Sequence, residues 1–359
     1  MLKFLLIKYG VYFKELAYTI KLKQQYTRII KKLLKNYDNR KKLNSSQITE
    51  IKEFYSKYGF EVKTFWHEFY YSVNGYFSVK YIPEDIFHAI INKKLNQMRQ
   101  WPALLDKNLL GILFKKFNQP EIVLKNMNGF FYVDNKIVTE EIAVETVLNQ
   151  KCPMIIKPSI DSGNGQNVIV FWIKNGLTSI DNLSVIEIFR KYRKDFIIQF
   201  LVDQHEALKS LNPTSLNTLR ILTYLNNDGV HILSSVIRIG KKGNFTDNVA
   251  SGGIGCGIQS NGRLKEFGHF ESGVLTTKTD TNVILKDFKV PGYNMALEHV
   301  KKMHLLIPYF KLISWDIGID NKNEPILIEY NTYHQGIYGH QLANGPLFGS
   351  FTDEILSQK

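Results

Sequence analysis

Two periodicities divide the chain. Up to about residue 100, apolar positions recur at helical spacing; from about 105 the apolar runs shorten and alternate with polar residues. "QITEIKEFYSKYG" predicts a helix with Ser46 as its cap and Gly59 as its stop. "PEDIFHAIINKKLNQMRQW" predicts another, with Pro83 at its start. Beyond them, "GFFYVDNKIV" reads as a hairpin around Asp134 and Asn135, "MIIKP" and "NVIVFWI" as strands, "SVIEIFRKY" as a helix and "FIIQFLV" as a strand. "NTLRILTYLNNDGVHILSSVIRIG" predicts two long strands joined by an Asn-Asp-Gly turn. A helix, "NMALEHVKKMHLLI", precedes the strands "LISWDIGID" and "EPILIEYN". The sum is an α+β body of antiparallel strands with helices between, behind a helical segment.

Composition narrows the class. At 359 residues and 44% hydrophobic, the chain can bury a sizeable core and is not disordered as a whole. Two cysteines, Cys152 and Cys256, exclude a disulfide scaffold and a Cys-rich zinc site and point to a reducing compartment, the cytoplasm. Net charge is +13, and "KLKQQYTRIIKKLLKNYDNRKK" gathers much of it early. That stretch has three readings: a solvated Lys-rich amphipathic helix, a helix lying on anionic lipid at the inner membrane face, or a non-specific nucleic-acid surface. No nucleic-acid reader motif supports the third. "MLKFLLIKYGVYF" is too short and interrupted to span a bilayer, and it lacks the cleavage site of a signal peptide.

The closing strands carry the densest chemistry. Alternation puts Ile313, Trp315, Ile317 and Ile319 on one face and Ser314, Asp316, Gly318 and Asp320 on the other. On the partner, Leu327, Glu329 and Asn331 share a face opposite Ile326, Ile328 and Tyr330. A hairpin centred between Lys322 and Asn323 sets Asp316 across from Glu329, with Cβ atoms about 5 Å apart. Two carboxylates that close invite a hard divalent cation with oxygen ligands, which takes one or two carboxylates and leaves room for phosphate. A charged solvent face on an edge hairpin is the other reading. Upstream, Lys157 ends an apolar strand, and "SIDSGNGQ" leads to a second strand rather than to a helix. "GNGQNV" is therefore neither a dinucleotide fingerprint nor a P-loop. It reads either as an ordinary flexible turn or as a flap whose backbone N–H groups cover phosphates.

A lysine strand, a glycine flap, "IIQFLVDQH" some forty residues on, and "WDIGI" with "LIEYN" follow one another in an order that resembles the ATP-grasp superfamily. "SLNTLRILT" and "DNVASGGIGCGI" make it similar to the branch associated with sugar transfer, over about residues 105 to 345. The resemblance implies an ATP-grasp fold, two α+β subdomains gripping ATP between antiparallel sheets. Its divisions are a basic helical region (1–104), a nucleotide-binding subdomain with the lid (105–202) and a C-terminal subdomain with the metal and substrate site (203–359). It implies that Lys157 contacts the ATP phosphates, as does Lys125, and that Ser162, Gly163 and Gly165 form the lid. The hinge Gln199, Phe200, Leu201 and Val202 would read adenine, and Asp203 or His205 the ribose. Gln199 stands where many of these enzymes carry Glu; a neutral amide can still accept the adenine amino proton. Asp316, Glu329 and Asn331 match the family's magnesium ligands, for one or two ions, with manganese as the other candidate.

Arg220 and Arg238 sit on successive strands and suit a transferring phosphoryl group or a substrate carboxylate; each has the alternative of pairing with a structural carboxylate. Asn217, near Arg220, belongs with the substrate residues; Asn248, Ser251, Gly252 and Gly253 offer an anion-holding loop or an ordinary Gly-rich turn, and His334, Gln335 and His340 would line the acceptor pocket or sit on a loop surface. The resemblance implies an ATP-dependent carboxylate–amine ligase working through an acyl phosphate in surface polysaccharide synthesis, with a small or glycan-linked acid and an amine as substrates. A kinase of a sugar or polyol hydroxyl is the alternative. A non-catalytic nucleotide-binding subunit of a glycan assembly is the third reading.

Overall fold

The computed structural model describes residues 2–160 and 165–358; for residues 2–12 and 14 it describes the backbone alone. The amino-terminal region is helical as expected. Helix α1 (Leu2–Lys35) runs unbroken, and α2 (Ser45–Ser56) and α3 (Phe65–Asn74) follow. The cap of α2 is Asn44 rather than Ser46. Asn44 Oδ1 accepts from the Gln47 N–H at 2.9 Å, and Gln47 Oε1 accepts from the Asn44 N–H at 3.0 Å, a reciprocal capping box. The helix begun at Pro83 holds a π-turn over Phe87–Ile91 and ends at Leu95, short of the sequence expectation.

The body is two antiparallel sheets. The first takes β1 (Ile122–Met127), β2 (Phe130–Val133), β3 (Lys136–Val138), β4 (Met154–Pro158), β5 (Ile169–Phe171) and β6 (Phe196–Phe200) in the order β3-β2-β1-β6-β4-β5. Asp134 and Asn135 both adopt positive φ in the two-residue turn between β2 and β3, where the twist of the strands demands it. Helices α4 (Glu140–Leu148) and α5 (Val185–Tyr192) cover one face, burying Leu124, Ile156 and Ile198 against Val147, Ile188 and Phe189.

The second sheet takes β7 (Thr218–Asn226), β8 (Gly229–Ile239), β9 (Ile254–Ile258), β10 (Leu264–His269), β11 (Leu275–Thr276), β12 (Leu312–Ile319) and β13 (Pro325–Asn331) in the order β11-β10-β9-β8-β7-β12-β13. Leu219, Ile221, Trp315 and Ile317 pack its back against Val300 and Met303 of α6 (Tyr293–His304). Its front is shared. At one end Leu222, Tyr224 and Leu312 are buried beneath Tyr55, Ile82, Phe87 and Ile91. At the other, Thr218, Arg220 and Asp316 face a cleft. The amino-terminal region thus roofs half of the sheet that carries the candidate site on its other half.

In α1, the apolar positions at helical spacing Leu22, Ile30 and Leu34 are buried, while Lys21, Lys31, Lys32 and Lys35 stay exposed. Among the described residues no helix is long and apolar enough to cross a membrane.

Candidate active site

The cleft has a volume of about 830 Å³ and is floored by one cross-strand row of the second sheet. Glu329 of β13 lies across from Asp316 of β12, which lies across from Arg220 of β7, which lies across from Val236 of β8. The register is the one expected for Asp316 and Glu329. It is reached through a bulge: Ile317 pairs with Leu327, so Ile328 is extra. The bulge overturns one expectation. Leu327 leaves the face of Glu329 and joins the core with Tyr330, while Ile328 lines the cleft.

Arg220 grips Asp316 bidentately, Nε to Oδ1 at 2.8 Å and Nη2 to Oδ2 at 2.8 Å. Arg238 reaches the same carboxylate, Nη2 to Oδ2 at 3.2 Å, and Asp247 Oδ1 at 3.3 Å. Thr218 holds Arg238 in place: its Oγ1 accepts from Arg238 Nε at 3.1 Å and Nη2 at 2.8 Å and donates to Asp247. The Thr218 N–H donates to the same carboxylate oxygen at 3.0 Å. Burial alone would raise the Asp316 pKa, but Arg220 and Arg238 hold its carboxyl far below the usual carboxylate range. Burial pushes the Asp247 carboxyl up, against the pull of Arg238.

Two lysines join this floor, Lys157 from the first sheet and Lys107 from a short turn that precedes it. Lys157 of β4 is buried and lines the cleft. Burial, reinforced by Lys107 and opposed by Glu329, pushes its ammonium pKa down to about 8. Lys107 stands 3.4 Å from Glu329 Oε2. Lys125 and Lys157 flank Ile197 in one cross-strand row, but Lys125 Nζ donates to Asn135 at 3.0 Å and lies outside the cleft lining. On the face of Lys157 sit Ile155, in the cleft wall, and Gln199, paired across from it. Gln199 is buried, and its Oε1 has no partner among the described residues. Gln199 is thus the diagonal cross-strand neighbour of Lys157, with the two positions about 7–8 Å apart.

The other expected residues divide. Gly165, Asn248, Asn331, His334, Gln335 and His340 line the same cleft. Ser162 and Gly163 lie outside the described residues. Phe200, Leu201, Val202 and Asp203 line a separate hollow of about 470 Å³, and Asp203 is paired with Lys209. His205 caps a short helix, its Nδ1 accepting from the Ala207 N–H at 3.1 Å. Asn217 spends its amide on three acceptors, Gln204 Oε1 at 3.1 Å and the carbonyls of Leu208 at 2.8 Å and Asn212 at 2.9 Å, so it fixes the chain entering β7. Ser251, Gly252 and Gly253 do not reach the cleft. Gly253 is glycine for packing, since a Cβ there would lie 2.7 Å from Ile239 O. His340 bonds Ser234 at 2.8 Å, and burial, with Arg220 adding to it, pushes its pKa down to about 3; it is neutral. Burial and neighbouring His88 push His334 down to about 4.

Sequence reasoning missed Lys107, Thr218, Asp247 and the apolar walls Ile155, Leu216 and Ile328. Ile155 was open to detection, because period two puts it on the face of Lys157. Tyr26, Trp66 and Glu84, from the amino-terminal region, also line the cleft and carried no signal.

A divalent cation fits part of the expected trio. Glu329 is the more exposed carboxylate of the pair, and Asn331, which lines the cleft beside it, would offer its amide oxygen, the donor type a hard cation takes. Asp316 already gives both oxygens to arginines. No group of three or more His, Cys, Asp or Glu among the described residues forms a further candidate metal centre.

Two antiparallel sheets facing each other across a cleft, with lysine on one and opposed carboxylates on the other, define the ATP-grasp fold. The chain belongs to the family described as sugar-transfer associated ATP-grasp, whose sequence model matches residues 87–354. Comparison with curated proteins finds no significant match. Among solved structures, the chain is similar to an L-amino acid ligase from Bacillus licheniformis (14% identity, 71% of this chain and 48% of that one, TM-score 0.41). It is also similar to the ATP-grasp ligase PsnB complexed with its minimal precursor (12%, 74% and 64%, TM-score 0.41). A third is the ADP-bound N5-carboxyaminoimidazole synthetase from Staphylococcus aureus (9%, 72% and 49%, TM-score 0.35). The matched regions span from about half to just under two thirds of those proteins' lengths.

Proposed function

We propose that the chain is an ATP-dependent carboxylate–amine ligase that activates its acid as an acyl phosphate. The observation that carries the reading is the convergence of Arg220 and Arg238 on one buried carboxylate at the floor of a cleft walled by Lys157. Guanidinium groups so fixed need no reorganisation to hold a substrate carboxylate or the spread charge of a moving phosphoryl group. ATP would lie along β4, its base between Ile155 and the Leu216–Ile328 wall, its amino group toward Gln199 Oε1 and its phosphates at Lys157 and Lys107. The lid residues Ser162, Gly163 and Gly165 would complete the phosphate cover. Glu329 and Asn331, with Asp316 behind them, would hold magnesium, which when bound neutralises phosphate charge. The carboxylate oxygen attacks the γ-phosphorus as the bond to ADP breaks; the amine then displaces phosphate.

The family's description supports a sugar acid, or another sugar-linked carboxylate of surface polysaccharide synthesis, as the molecule activated. The test is Mg²⁺-dependent ADP release from ATP with a pool of uronic and amino acids and hydroxylamine present. Hydroxamate that vanishes in Glu329→Ala is the expected result. ADP release without hydroxamate, across acids and sugars alike, would replace the ligase reading with a hydroxyl kinase.

A further inference from the structure

The family match begins at residue 87, yet the cleft continues past that boundary into residues that precede it. Tyr26 of α1, Trp66 of α3 and Glu84 are part of its wall, with Trp101, Tyr333 and Tyr338 from the remainder of the chain. Two of these carry buried polar atoms with no partner among the described residues, Glu84 Oε1 and Trp66 Nε1; each residue is 3% exposed. Glu84 spends its other oxygen on His88 Nε2 at 3.0 Å. Tyr26 stacks on His88 with ring centroids 4.5 Å apart, and Trp101 meets Tyr333 at 4.9 Å.

A buried carboxylate oxygen left without a donor is costly. Its presence in a cavity wall is explained if a ligand supplies the donor. Aromatic faces around a carboxylate favour a cation over a neutral group, because the ring quadrupole and the carboxylate attract the same charge. The charge of Glu84 is felt at Tyr26 and Tyr338, whose hydroxyl pKa values it helps burial to raise, so the carboxylate and these two rings share one environment. The same cleft carries Arg220, Arg238, Lys107 and Lys157, which suit anions.

We propose that Glu84, with Trp66, Tyr26 and Tyr338, forms a subsite for a primary ammonium group, and that the amino-terminal helical region is the element that selects it. Its role as the acceptor-amine site rests on the ligase reading; its preference for a cation does not. The orphan Trp66 N–H gives the ligand a second requirement, an oxygen near the amine for it to donate to.

Isothermal titration with ADP and Mg²⁺ present tests this with four amines: D-glucosamine, ethanolamine, benzylamine and L-lysine methyl ester. Each is paired with its N-acetylated form, in lysine acetylated at both amines, which keeps the body of the molecule and removes the charge. At least one amine is expected to bind roughly tenfold or more tighter than its acetylated partner, the scale of a charged hydrogen bond. Glu84→Gln is expected to abolish that preference. Four pairs without preference for the amine, or a preference unchanged in E84Q, overturns the proposal. If E84Q melts differently from the native chain, the native comparison of amine with acetylated amine alone decides. Hydroxamate formation separates the two readings. Amine preference without any hydroxamate removes the ligase reading and leaves the cation site standing; hydroxamate without amine preference does the reverse.

Discussion

Lys157 offers the sharpest quantitative test, because its environment makes opposite demands on stability and on nucleotide binding. Its pKa of about 8 lies some 2.5 units below the ordinary lysine value of 10.5. At 1.36 kcal/mol per unit, that is on the order of 3 kcal/mol of penalty for carrying the charge in the empty fold. Because the folded pKa is depressed, the unfolded chain binds more protons between pH 8 and 10.5. The penalty is thus fully present below pH 8 and disappears as pH climbs through that window, so this group's contribution makes the protein more stable toward pH 10.5. Phosphate reverses the preference by favouring the ammonium. If only the protonated form binds, the dissociation constant for ATP should rise about tenfold between pH 7 and 9, close to 1.4 kcal/mol. The assay is titration of a non-hydrolysable ATP analogue with Mg²⁺ across that range. Lys157→Arg should flatten the profile, since guanidinium does not titrate there. Lys157→Met should bind weakly at every pH and, at pH 7, unfold at higher denaturant than the native chain. A native profile that is flat from pH 7 to 9, or an equal slope in K157R, refutes the assignment of Lys157 to the phosphates.

Further expectations follow from the carboxylate network. Asp316→Ala leaves two partly buried guanidinium groups without their shared, fully buried partner and should cost about 3 kcal/mol in urea unfolding, with Asp316→Asn costing less. Thr218→Val frees Arg238 without removing it. It should lower kcat by roughly tenfold to a hundredfold while ATP affinity barely changes, the pattern of a positioning residue. Helix α1 turns Phe13, Leu16 and Ile20 outward at helical spacing among its lysines. We propose peripheral contact with anionic lipid: the protein should float with anionic but not neutral vesicles, at about 1 kcal/mol per surface-near lysine. Absence of flotation, or flotation unchanged after removal of residues 1–20, counts against it.

What the sequence disclosed was local geometry. Alternation in "WDIGI" and "LIEYN" sufficed to bring Asp316 opposite Glu329, because strand faces follow from residue counting. The Asn-Asp-Gly turn was enough to put Arg220 and Arg238 on one face. Counting fails where residues arrive from afar. Lys107 reaches Glu329, and Asp247 reaches Arg238, through loops that no periodicity constrains. Glu84 and Trp66 look like ordinary helix residues, and only the packing of α1 and α3 beside the second sheet puts them in the cleft. A glycine-rich run does not by itself say why it is there: Ser251, Gly252 and Gly253 are outside the cleft lining, and close backbone approach accounts for Gly253.

The bulge in β13 has a wider meaning. A regular strand hands neighbouring side chains to opposite sides, so it cannot offer grease and charge to one ligand from consecutive positions. By doubling one residue against Ile317, this strand presents Ile328 and Glu329 side by side to the cleft, with Leu327 turned into the core. On the proposed placement of ATP, a single irregularity would let one short segment meet both the flat and the charged part of the nucleotide. Shifting the strand by one residue to smooth it out would set Ile328 against Asp316 and carry Glu329 to the side of Trp315. The wall and the carboxylate can therefore change only together.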